Sequence, residues 1–165
     1  MSEPVSLADL RAAIYVSDLF FKITSKSPIL VADTQVLAKL DFSYSAFGGL
    51  SNEKTKDVLV DSANIFFRFN INSPVTIEQI KNGRLFNNSN VEDLGIIIKV
   101  KSSHFPNRTQ ICIAGLGEYG TSGAAWFLAN KWKEIRKTVK GKNFGALIKV
   151  RIGKDESATL IELCT

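Results

Sequence analysis

Histidine occurs once in this sequence, at His104, and cysteine twice, at Cys112 and Cys164. Zinc centres draw on several histidine and cysteine ligands, so a histidine- or cysteine-rich metal site is excluded; only carboxylates remain, and those suit magnesium. Two scattered cysteines make no disulfide framework, which points to a reducing, cytoplasmic setting. No apolar run approaches the ~18 residues of a membrane helix. The opening MSEPVSLADL lacks a basic n-region and an apolar stretch, so no secretory signal is expected. The lone histidine has no G-x-S-x-G beside it. Asp33, Asp41 and Asp93 stand singly, with no spaced pair to serve as acid and base.

What is present fits an ordinary folded domain. The 165 residues are 45% hydrophobic and 22% charged, which predicts one domain over 1–165 with a core of its own. The net charge of +5 is local: residues 131–142, KWKEIRKTVKGK, hold six basic residues and one acidic, and the remainder is balanced. Those cations could neutralise phosphates. They could equally be the solvated face of a helix buried on Leu128, Trp132, Ile135 and Val139, and no aromatic platform or helix–turn–helix pattern supports a nucleic-acid partner.

The most informative stretch is Thr109–Ala125, TQICIAGLGEYGTSGAA. Ile111 to Ala114 reads as a buried strand, Gly115, Gly117 and Gly120 as a turn, and Thr121 or Ser122 as the cap of a helix. Strand, glycine turn and helix N-terminus form an anion site: the backbone approaches closely, N–H groups point outward and the dipole favours negative charge. A second such unit precedes it. Phe42–Phe47 alternates like a strand, Gly48-Gly49 breaks it, and Ser51 or Asn52 caps a helix running to about Ala63.

Around these units, residues 6–24 read as a helix opened by Ser6 and Asp9. Its Leu7, Leu10, Ile14 and Phe21 follow helical spacing, and Val16, Leu19, Phe20 and Ile23 widen the apolar surface, so it should be buried on more than one side, by its own domain or a second subunit. Ile29–Val31 is a possible short strand and 36–40 a brief helix. Residues 65–69 read as a strand, and 70–93 as a polar excursion with a short strand or helical turn near 75–80. Residues 95–101 pair with 110–114 as a hairpin. A final strand pair covers 144–152 and 158–163.

The fold class is therefore α/β: a Rossmann-like mixed sheet with a parallel centre, widened by antiparallel hairpins, with helices on its faces. If the two unit strands are parallel neighbours, both glycine turns meet at one edge of the sheet, where open α/β sheets bind ligands.

Gly115-Leu116-Gly117-Glu118-Tyr119-Gly120 matches G-x-G-x-x-G with a strand before and a helix after. The acidic residue a dinucleotide site needs about 20 residues on is missing. There the chain reads Ile135 to Lys140, and Asp155 and Glu156 come later, in a turn. An anion site, a dinucleotide site and a plain strand–helix joint all remain open.

Gly48-Gly49-x-x-Asn52-x-x-Thr55 and Ala114-Gly115-x4-Gly120-Thr121-x-x-Ala124 together resemble modules of archaeal surface-layer and uncharacterised prokaryotic proteins. The second half is similar to the P-G-G-x-G-T-x-x-E signature of the Lonely-Guy and SLOG group of nucleotide-binding domains. The likeness covers two short windows. In the Lonely-Guy enzymes the glutamate helps cleave a nucleotide N-glycosidic bond; the matching position here is Ala124, and the proline position is Ala114. The resemblance thus implies nucleotide binding without that chemistry.

The sequence accordingly predicts a sensor for a nucleotide-like phosphorylated small molecule, bound by Gly48, Gly49, Ser51, Asn52, Thr55, Gly115, Gly117, Gly120, Thr121 and Ser122. No metal or other cofactor is implied. A nucleotide-processing enzyme with Glu118 as acid or base, and a purely structural interaction domain, are the alternatives. Trp126, opposite the buried stripe of its helix, suggests a homodimer unless the first helix covers it.

Overall fold

A computed structural model describes residues 6–36, 38 and 41–165. The helix expected at 36–40 falls largely outside them. Helix α1 spans Leu7–Thr24, with the Ser6 hydroxyl accepting from the Asp9 amide at 3.0 Å. Strand β1 is Tyr44–Phe47 and helix α2 is Glu53–Val60. Strands β2 Phe67–Asn70, β3 Thr76–Gln79 and β4 Arg84–Phe86 follow. Then come β5 Glu92–Lys101, β6 Thr109–Gly115, α3 Glu118–Val139, β7 Phe144–Arg151 and β8 Lys154–Cys164. No helix among the described residues is long and apolar enough to cross a membrane.

The main sheet has the order β1-β6-β5-β7-β8. β1 runs parallel to β6, and every other neighbour pair is antiparallel. The fold is α/β with a mixed sheet, as the sequence predicts, but the parallel pair lies at one edge and not in the centre. The central strand is β5, whose Ile96, Ile97 and Ile98 are all fully buried because both its faces are covered. Ile97 packs with α3 and α1 on one side, while Ile96 and Ile98 pack with α2 and β2 on the other.

The excursion contains more structure than its polar sequence suggests. β3 and β4 join β2 in a separate three-stranded sheet. Phe67, Phe69 and Ile77 close the second core, and Gly145 on β7 leaves room for Phe66, whose Cβ would lie 2.3 Å from any Cβ there. Residues 29–31 are not a strand. They are exposed and without regular structure, and a short 3-10 turn over Asp33–Gln35 follows.

Two expectations about helices change. α1 packs on α3 through Ala8, Ala12, Ala13 and Val16, small side chains that let two helix backbones approach closely. Its bulky stripe of Leu7, Leu10, Ile14 and Phe21 faces outward. Trp126 is partly buried against the core shared by α1 and α3, on which Tyr15, Leu19 and Phe20 of α1 also pack.

Candidate functional site

Because β1 and β6 are parallel neighbours, the two glycine turns do meet at one sheet edge; a Cβ on Gly49 would lie 3.6 Å from the Gly115 carbonyl oxygen. The helix after the second turn begins earlier than expected. Gly117, not Thr121 or Ser122, is the residue before its first turn, and it has no side chain with which to cap.

The cap comes from another strand. Asp93, almost fully buried at the start of β5, accepts from the Gly117 amide at 3.1 Å and the Gly120 amide at 2.7 Å. It also accepts from its own neighbour, the Leu94 amide, at 2.8 Å. These charge-assisted bonds fill the helix N-terminus with the chain's own carboxylate. The start of α2 is treated alike: Asn52 Oδ1 accepts from the Thr55 amide at 2.9 Å, and Asp33 Oδ2 from the Glu53 amide at 2.8 Å.

The glycines answer to packing. A Cβ on Gly95 would lie 2.0 Å from the Gly120 carbonyl oxygen, one on Gly120 would lie 2.1 Å from that of Leu94, and one on Gly115 would lie 2.4 Å from the Thr121 nitrogen. Real Cβ atoms do not approach so closely, so the three glycines let α3 start directly against β5 and β6.

The other predicted residues are distributed between interior and surface. Thr55, Thr121 and Ser122 are buried, as are Gly48, Gly115 and Gly120. Thr55 Oγ1 donates to the Gly48 carbonyl at 3.3 Å. Ser122 Oγ donates to Asp155 at 2.6 Å and accepts from Arg11 at 3.2 Å. Tyr15 donates to the same Asp155 at 3.2 Å, and the Arg11 Nε lies 3.3 Å from it. Gly49, Ser51, Asn52, Gly117 and Glu118 retain exposure.

The edge is acidic. Asp9 abuts Gly48, where a Cβ would meet its carboxylate at 3.2 Å. Burial first, and then the charge of Glu118, raise the Asp9 carboxyl above its ordinary value, opposed by a hydrogen bond with Ser6. With Asp33, Glu53 and Asp93, five carboxylates lie at the two helix starts, offset in part by Lys56, which pairs with Glu53 at 2.6 Å, and by Arg11, 5.4 Å from the centre of the Tyr119 ring. Asp33 and Asp93 were legible only as isolated acids, and Asp9 only as the partner of Ser6 in opening α1. An Asp-x-Gly on β5, the strand that pairs with the one leading into the glycine turn, was the available signal.

At the opposite edge lies a cavity of about 260 Å³. Tyr44 and Gln110, paired in register at the start of β1 and β6, form part of its wall. The end of α2 contributes Asp57 and Asp61, and the β5–β6 loop contributes Ser102 to Phe105, His104 among them. Among the described residues no group of three histidine, cysteine, aspartate or glutamate side chains is placed to hold a metal.

No protein-family model matches the chain, and no curated protein or solved structure matches it either.

Proposed function

We propose that this chain is an assembly domain that associates with a second copy of itself through α1 and the segment after it. The observation that carries this reading is the inversion of α1, small residues inward and the bulky stripe outward. Leu7, Leu10, Ile14 and Phe21, with Ser17 between the last two, follow alternating steps of three and four, the spacing of a helix–helix seam interrupted at one position. Leu7, Leu10, Ile14, Phe21 and Ile23, with Ile29, Leu30 and Val31 beyond the helix, are between 46% and 88% exposed. Together they leave on the order of 800 Å² open to water, about the share each partner gives to a standard interface. Monomers rarely expose so much.

The test is sedimentation or light scattering at tens of micromolar. Wild type should run as a dimer and Ile14→Glu or Phe21→Glu as a monomer with an unchanged helical spectrum. A monomeric wild type rejects the reading.

A second reading, a nucleotide or another phosphorylated ligand at the two turns, is favoured by their meeting at one sheet edge. It requires the ligand to displace Asp93 or Asp33, or to use the remaining amides of Glu118 and Tyr119. A ligand at 100 times its dissociation constant stabilises by about 2.7 kcal/mol, so a thermal-shift screen of nucleotides and sugar phosphates decides it. Flat melting curves throughout eliminate this reading and leave the assembly reading untouched.

A further inference from the structure

We propose that the basic end of α3, joined by Lys99 and Lys101 of β5, docks on the phosphate backbone of double-stranded DNA without reading its sequence. The charge is concentrated on one face. At 100° per residue, Lys133, Arg136, Lys137 and the capping Lys140 fall within an arc of about 100°, on the side of α3 away from buried Leu128, Ile135 and Val139. All four are exposed, as is Lys142 just beyond them. The acid of this stretch, Glu134, is taken by Lys131 at 3.2 Å. Among the described residues, none of the other five cations meets a carboxylate.

The fold extends this patch from a second element. Side chains alternate along β5, so Lys99 and Lys101 share the face of Ile97, the one that α3 covers. The Lys99 ammonium donates to the carbonyl oxygens of Gly141 at 3.4 Å and Lys142 at 3.3 Å, and the Lys101 amide to Asn143 Oδ1 at 3.0 Å. Burial first, and then the charge of Lys101, lower the Lys99 ammonium from its ordinary value. Asp93 stands at the start of the same strand, about 25 Å away. The positive field at the α3 end is therefore not cancelled by the carboxylates of the glycine turns.

The surroundings select the polyanion. Lys133 and Lys140 lie about 10 Å apart along the helix, and each strand of a duplex presents a phosphate every ~3.4 Å of its axis. Side chains that read bases are occupied: Asn130 donates to the Trp126 carbonyl at 2.9 Å, Thr138 to that of Glu134 at 3.3 Å, and Asn143 holds the Lys101 amide. Trp132 packs on the core, which leaves no stacking platform for a single strand. Duplex RNA is recognised largely through its 2′-hydroxyls, for which the patch offers no free hydroxyl or amide. No exposed apolar side chain within residues 131–142 is present to enter a bilayer.

Fluorescence anisotropy with a labelled DNA duplex of about 20 base pairs tests the proposal. Binding should saturate at micromolar protein in about 50 mM salt, with a log–log salt slope of about −4 to −6, and a duplex of scrambled sequence should bind within about twofold. Lys133→Gln combined with Lys137→Gln should weaken binding at least fivefold and make the slope shallower by nearly two. Both side chains are exposed, so the helical spectrum should not change. Lys154→Gln, at the β7–β8 turn beside the opposite end of β5, should alter neither quantity. No saturation by about 100 μM protein at that salt overturns the proposal. So does an affinity indifferent to salt, or one that the glutamine pair leaves intact. Tighter binding of a single strand or an RNA duplex overturns it as well, as does capture by phosphatidylserine vesicles where the DNA duplex stays free.

Discussion

The Gly120 amide and the Asp93 carboxylate are joined by a 2.7 Å hydrogen bond between the second turn's last glycine and the start of the central strand. The carboxylate thereby does for α3 what a local Ser or Asp does for most helices, from a distant point in sequence.

Removing it should unseat the helix. Asp93→Ala leaves the Gly117 and Gly120 amides without a partner and should cost about 3 kcal/mol in urea unfolding, with Asp93→Asn losing about half of that. A loss under about 0.5 kcal/mol for the alanine variant would show that water replaces the carboxylate readily.

The two glycine turns should respond differently to a single methyl group. Gly120→Ala drives a Cβ to within 2.1 Å of the Leu94 carbonyl oxygen, whereas Gly49→Ala places one at 3.6 Å from its nearest neighbour. The first should cost about 3 kcal/mol or prevent folding; the second should stay within about 0.5 kcal/mol. Equal costs would contradict the packing account of these glycines.

How far the sequence discloses this region depends on distance along the chain. The α1 boundaries, the β5–β6 hairpin and both strand–turn–helix units follow from local spacing and local caps. The cap of α3 does not, because Asp93 belongs to another strand. Periodicity marked Leu7, Leu10, Ile14 and Phe21 as one face of a helix, but it could not say that the alanine face would be the buried one. β3 falls where a short strand or helical turn was expected, near 75–80, but β4 escaped because three residues with exposed Arg84 and Leu85 carry no alternation to read. Gln110 sat inside an apolar strand, and only its pairing with Tyr44 shows what it lines.

Asp9 predicts a pH effect. Its carboxyl is raised in the folded chain, chiefly by burial, so the fold holds this proton more tightly than the unfolded chain does. The stabilisation is complete below the ordinary aspartate range and is lost as pH rises through the folded value. Asp9→Asn should therefore raise the unfolding midpoint at pH 7 and leave it near wild type at about pH 3. A lower midpoint at pH 7 would mean that the charge serves the N-terminus of α1 instead.

The cysteines should separate cleanly by reactivity. Burial pushes the Cys112 thiol up to about 12, which leaves about one molecule in ten thousand as thiolate at pH 8. Cys164 is raised too, chiefly by burial, but is only half-buried. Ellman's reagent should titrate Cys164 alone in native protein and both thiols in denaturant. Rapid native labelling of Cys112 would reveal opening of the sheet between β1 and β5.

The contact among Gly95, Gly115 and Gly120 also bears on ancestry. Three backbones that touch form a linked constraint: a substitution at one position is unacceptable while the other two remain. Relatives of this chain should thus keep or lose the three glycines as a set, together with the aspartate two positions before the first. An alignment in which position 95 varies freely beside a fixed Gly120 would break that linkage. In a genome, Asp-x-Gly on the strand before the one that leads into G-x-G-x-x-G would then mark chains that close this turn with their own carboxylate.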